Sequence, residues 1–259
     1  MHKLRLISPT RIPVKNAHAS TVEVLGKSIV AGQYPVGSSL PPEPQLCENF
    51  AVSRTVVRES IKSLVAKGLI VTGPKLGTRV LSEDQWNWFD PDVVSWLSQK
   101  RLSADFLRDL QELRRIVEPA AIRLAAVRAT TQELTSIEVA FSGMKNAVEN
   151  GGDYVTHDLR FHQGLLQASG NRMLVQMSKV LGALLRTSFE ISTAKKNGPA
   201  ESLSMHREVL DAVIAREPDR AEAAILHLID GAKQDIDLVL SSRRRIPYIG
   251  RPATPLRAL

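Results

Sequence analysis

Between residues 17 and 31 (AHASTVEVLGKSIVA), Val22, Leu25, Ile29 and Val30 recur at helical spacing, which predicts a helix with one apolar side. Gly32 ends it, and the Pro- and Gly-rich link QYPVGSSLPP follows. Residues 40–68 (LPPEPQLCENFAVSRTVVRESIKSLVAKG) then read as a short helix, a tight turn and a second helix. The second begins at Ser53, a good N-cap, because its hydroxyl can accept an orphan N–H of the first turn. Val57, Ile61, Leu64 and Val65 follow its period and are expected to face a core, and Gly68 can supply a left-handed C-cap. LIVT and TRV alternate as two short strands around GPKLG, a hairpin with Lys75 and Gly77 at its tip.

Beyond the hairpin the pattern changes. Residues 83–100 form an aromatic connector in which Trp86, Trp88 and Phe89 precede a helix opened by Pro91, with Val93, Val94, Trp96 and Leu97 apolar. Its expected role is a joint fixing one domain against the other. From 104 to 241 nearly everything has helical period, with breaks near Thr130, at 151–153, 169–171, 196–199 and 217–219, so about six or seven helices and no sheet are expected. The first, ADFLRDLQELRRIVEPAAIRLAAVRA, is apolar on several sides and should be enclosed by partners, with Pro119 kinking or restarting it.

The helix from Ser53 has a second face. Arg54 and Arg58 are one helical turn apart and point the same way, opposite the apolar side. A helix with a buried back and an arginine front has the build of a major-groove recognition helix, and the hairpin behind it makes a winged helix that can lay Lys75 against phosphates. The charge distribution agrees. Residues 1–80 carry 11 Lys and Arg against 4 Asp and Glu, while residues 81–259 carry 23 of each. The excess positive charge therefore lies with the helix-turn-helix pattern, as a DNA-facing surface requires.

A length of 259 residues suggests two domains, and 43 % hydrophobic residues suffices for packed cores. No run approaches a membrane span and no signal-peptide core is seen, so a cytoplasmic protein is expected. The single cysteine, Cys47, excludes an internal disulfide framework and reads as a small buried thiol.

The helical half carries a second chemical signal. Asp158 and His162 lie four apart on one helical face, His206 follows a Pro-marked turn, and His227 sits in the apolar stretch AAILHLI. Taken singly, each histidine reads equally well as a hydrogen-bonded helix residue. Together they form a ligand set suited to Zn²⁺, Ni²⁺ or Mn²⁺. His157 points about 100° away from Asp158 and should not join.

The order of the N-terminal pieces resembles the GntR family of bacterial transcription regulators. Leu40, Pro41, Glu43, Leu46, Phe50, Val52, Ser53, Arg54, Val57, Arg58, Glu59, Leu64, Gly68, Leu69, Gly77, Thr78 and Val80 stand at positions matching its pattern. The resemblance implies a winged helix-turn-helix over residues 15–82, with Arg54, Thr55, Arg58, Lys75, Gly77 and Thr78 meeting double-stranded DNA. Pro44 departs from the pattern, where the family usually has a DNA-contacting arginine. The connector phrase WNWFDPDVVSW resembles that of sugar-acid operon repressors.

Asp158–His162, His206–Arg207 and Ala223–His227 fit, in order, the motifs of the FCD ligand-binding domain found in the FadR-type branch of this family. That resemblance implies a mostly α chain whose residues 101–241 form an all-α antiparallel bundle. It implies a divalent metal, zinc first, on Asp158, His162, His206 and His227, with positions open to a small carboxylate effector such as a sugar acid. Arg114 stands where the family has an inward arginine, though an ion pair with Glu118 accounts for it equally well; Asn171 and Arg186 are further effector candidates. Implied too are a homodimer, a palindromic operator and repression. A purely structural metal is the second regulatory reading. A metal-dependent hydrolase using the three histidines and Asp158 is the enzymatic one, but no HExxH or other catalytic fingerprint occurs. The arginine-rich tail, 242–259, is expected to be disordered.

Overall fold

The structure is a computed structural model and describes residues 16–98, 103–195 and 197–241. The chain divides into two compact units, Met1–Lys100 and Arg101–Leu259. The tail from 242 lies outside the described residues, as does residue 15, where the DNA-binding domain was expected to start.

In the first unit, α1 (Ala17–Val30), α2 (Glu43–Phe50) and α3 (Arg54–Ala66) precede a hairpin, β1 (Ile70–Gly73) and β2 (Gly77–Val80), and α4 (Pro91–Ser98). Ala51, with φ 53°, makes the tight turn between α2 and α3. Ser53 then caps α3 by accepting from the Val56 N–H at 3.3 Å. The antiparallel register pairs Ile70 with Val80 and Gly73 with Gly77. Residues 37–40 bond alongside β2, with the Leu40 N–H on Thr78 O and the Val80 N–H on Ser38 O, which steadies the short hairpin. Val22, Leu25, Leu46, Phe50, Val57 and Leu64 build the core. Val65 does not join it: the residue is 38 % exposed, because the buried side of α3 runs through Val57, Ile61 and Leu64. Cys47 is half-buried against that core rather than enclosed.

The aromatic connector belongs to this same core. Trp86 and Trp96 are buried within it, and the Trp86 indole N–H donates to Leu81 O at 3.1 Å. Trp96 lies so close over α1 that a Cβ at Gly26 would stand 2.2 Å from its ring, which explains a glycine in mid-helix. Phe89, by contrast, is 54 % exposed. The two buried tryptophans are thus used inside the first unit.

The described residues of the second unit form six helices: α5 (Ala104–Arg128), α6 (Thr131–Asn150), α7 (Tyr154–Ala168), α8 (Arg172–Ser192), α9 (Gly198–Ile214) and α10 (Pro218–Ser241). No strand occurs among its described residues. The breaks fall at the expected places and are chemically marked. Thr130 and Glu133 form a reciprocal capping box, and Asp153 and Asn171 cap α7 and α8. α5 runs through Pro119 without a break, so the helix does not restart there. Buried packing of the proline side offsets the missing N–H bond there. α5 packs on α7 and α10, and α6 on α7 and α9, around a core that includes Ile122, Phe161, Leu165, Val209 and Ile225. Among the described residues no helix is long and apolar enough to cross a membrane.

Candidate functional site

Three helices of the second unit deliver five ionisable side chains to one buried cluster. α7 contributes Asp158 and His162 one turn apart, α9 contributes His206, and α5 contributes Arg114 and Glu118, again one turn apart. Each is buried; His162, for example, is 2 % exposed. The Nε2 atoms of both histidines converge on one carboxylate oxygen, Asp158 Oδ1, at 3.4 Å for His162 and 3.1 Å for His206. Their other ring nitrogens face Glu118 Oε2 at 2.9 Å and Ser202 O at 2.8 Å. Since a carbonyl only accepts, His206 must carry its proton on Nδ1, leaving Nε2 either a lone pair or, if the ring is charged, a second N–H.

That arrangement needs a cation. Burial alone would push both carboxyls up. Instead Arg114 and His162 bring Glu118 down to about 2, and His206 with His162 holds Asp158 well below the usual carboxylate range. His162 is drawn down by burial but lifted to about 9 by Glu118 and Asp158. Two carboxylates against one guanidinium leave the cluster one positive charge short. A proton on His162 or a metal ion at the three donors can supply it.

The donor set fits a divalent ion. Asp158, His162 and His206 each offer one ligand atom, all within 4.8 Å of one another. The 3.1 and 3.4 Å spacings match the roughly 3.3 Å edge of a tetrahedron with bonds of about 2.0 Å. A carboxylate and a backbone carbonyl behind the two imidazoles are the outer contacts that fix a metal-binding histidine. Beside the donors lies a cavity of about 20 Å³, lined among others by Arg114, Phe189, Ser202, Leu228 and Asp235.

Arg114 is bonded to Glu118, Nε to Oε1 at 2.6 Å, so the ion pair expected of these two residues is present. Its Nη1, also buried, has no hydrogen-bond partner and remains a donor available at the cavity. His227 does not reach the cluster. It is exposed, because α10 buries Ile225, Leu228 and Ile229, and Leu228 is the residue that lines the cavity. His227 therefore drops out of the expected set, and the donors that could hold an ion are two histidines and one carboxylate. Asn171 caps α8, and Arg186 donates to Thr156 Oγ1 at 2.7 Å; neither lines the cavity. His157 lies against Gly143, away from the donors. Sequence reasoning missed Glu118 as the partner of His162, along with Ser202 and Asp235.

On the first unit, α3 presents Arg54, Thr55 and Arg58 to solvent, with the Arg58 Nε donating to Glu43 Oε2 at 2.9 Å. At the hairpin tip Lys75 and Gly77 are exposed and Thr78 is half-buried. Lys75 holds a left-handed φ of 64°, a conformation that favours glycine.

The profile described as "Bacterial regulatory proteins, gntR family" matches residues 18–80, and the FCD domain profile matches residues 109–231. The galactonate operon transcriptional repressor of Escherichia coli (strain K12) is 38 % identical over 210 residues, 80 % of this chain and 91 % of that protein. The chain belongs to the GntR family. It is a transcriptional regulator with an FCD domain, and its relatives are regulators rather than enzymes. The regulator LutR of Bacillus subtilis (strain 168) is 30 % identical over 75 % of this chain and 90 % of its own. Among solved structures, Lar, described as controlling expression of the Listeria monocytogenes agr system, shares the fold at 17 % identity. Its TM-score is 0.60, over 88 % of this chain and 99 % of that one.

Proposed function

We propose that this GntR-family regulator is a cytoplasmic homodimeric repressor that binds a palindromic operator and releases it when a small carboxylate, a sugar acid such as galactonate, occupies the α5–α7–α9 cluster. The observation that carries the reading is the buried set of Asp158, His162 and His206 beside the unpaired Nη1 of Arg114. The 38 % identity to a galactonate operon repressor supports the class of effector.

Asp158, His162 and His206 would hold a divalent ion such as Zn²⁺, which when bound supplies a Lewis-acid seat for a carboxylate or hydroxyl oxygen. Glu118 keeps the His162 ring oriented, and Ser202 O does the same for His206. Arg114 Nη1 offers a charge-assisted bond to the same acid group. At about 20 Å³ the cavity admits little more than one water-sized body, so a sugar acid must spread the helices that line it. Effector affinity is thereby tied to a change of conformation, which is what an allosteric site needs. On α3, Arg54 and Arg58 read base edges, while Thr55, Lys75, Gly77 and Thr78 approach the backbone.

The metal half of this account is tested by elemental analysis of the purified chain and of His206→Ala. The wild type should carry close to one divalent ion per chain and the variant far less, with operator binding retained. Equal metal in both would remove His206 from the ligand set.

A further inference from the structure

Glu43 is an acid on a surface that gathers cations: only 4 of the first 80 residues are acidic against 11 basic. Beside a DNA-reading helix an acid repels phosphate, and an exposed ion pair adds little stability. Neither affinity nor folding accounts well for it. A first-turn acid does favour the helix dipole of α2, but this carboxylate is turned across the α2–α3 turn onto Arg58. Oε2 accepts from Arg58 Nε at 2.9 Å, and among the described residues Nη1 and Nη2 make no other hydrogen bond. Pro42 and Pro44 flank Glu43, so the carboxylate is presented from a stiff backbone.

We propose that Glu43 is a positioning and specificity-determining residue for DNA recognition: by holding Nε of Arg58 it fixes the guanidinium so that Nη1 and Nη2 meet O6 and N7 of one guanine. A free arginine 63 % exposed samples many rotamers and can settle on any nearby phosphate. A tethered one presents a fixed fork, and the bidentate guanine contact is the geometry such a fork fits. Pro44 sharpens the need, since it leaves no arginine at its own position to share the reading. The inference rests on the assignment of α3 as the groove-reading helix.

The test uses the full chain. An operator is first enriched from random DNA with the wild-type protein. Affinities for that operator, for each of its single-base-pair variants and for an unrelated duplex are then measured by anisotropy. The proteins compared are wild type, Glu43→Gln, Glu43→Ala, Arg58→Ala and the double alanine variant, each checked for an unchanged melting temperature. Glu43→Ala should cut the ratio of operator to unrelated affinity about 10-fold, the discrimination of one guanine contact. The loss should fall on the base pair that Arg58→Ala also stops reading, while affinity for unrelated DNA holds or rises because an acid has gone. Glu43→Gln, whose amide oxygen still accepts from Nε, should retain part of the ratio. The double variant should be no worse than Arg58→Ala alone. If operator and unrelated DNA gain affinity together, Glu43 is merely a repulsive charge and the proposal falls. A loss spread over all base pairs, or one that adds to that of Arg58→Ala, overturns it as well. Failure of the wild type to enrich any sequence would instead overturn the DNA-reading assignment, and this inference with it.

Discussion

Glu118 stands between the Arg114 guanidinium and the His162 imidazole, and it is the residue whose role changes most between sequence and structure. In the sequence it is the i+4 partner of Arg114 and nothing more. In the structure it also fixes a candidate ligand. Glu118→Gln should therefore weaken divalent-metal binding about 10- to 100-fold in a competitive chelator titration. An unchanged affinity would make Glu118 a partner of Arg114 only. His227→Ala should leave metal content untouched, in contrast with His206→Ala. The Asp158–His162 pair was legible because i and i+4 share a helical face. His227 was misplaced because a run of apolar neighbours does not fix helical phase; burial at positions 225, 228 and 229 does, and it turns residue 227 outward. Glu118 could not have been found as the partner of His162, since the two lie on different helices, whereas Ser202 stands one turn before His206 on α9, a spacing the sequence did offer.

At the scale of elements, local chemistry was the reliable guide. Ser53, Thr130, Asp153 and Asn171 each cap the helix that follows by accepting a backbone N–H, so the helix starts could be read directly. Ser53→Ala should cost about 1 kcal/mol in urea unfolding of the first unit. No loss would mean that tertiary packing, not the cap, holds the start of α3. Where packing overrides local preference, the reading missed: Pro119 does not restart α5, and Val65 is exposed despite its apolar neighbours. Phe161, fully buried in the helical core, should cost about 3–5 kcal/mol when cut to alanine, seen as a lower melting temperature of the second unit.

At the scale of the molecule, charge separates the tasks. The first 80 residues hold a net +7, while residues 81–259 carry equal numbers of acids and bases. Arg58 is exposed on the first unit and makes no core contact, so Arg58→Ala should abolish specific operator binding while leaving the melting temperature unchanged. Specific binding that survived the change would remove α3 as the reading helix. The organisation into a DNA-binding part and an all-helical part was legible from periodicity and charge. What would occupy the cavity was not, because its lining is assembled from residues far apart in sequence, of which Leu228 and Asp235 gave no signal.

The most direct test of the account is an anisotropy titration of the full chain on its operator, with and without galactonate, repeated with Arg114→Ala. Release of DNA by the acid in the wild type, lost in Arg114→Ala although that variant still binds the operator, is the predicted result. Operator binding that galactonate and other sugar acids leave unchanged would contradict an effector seat at this cluster.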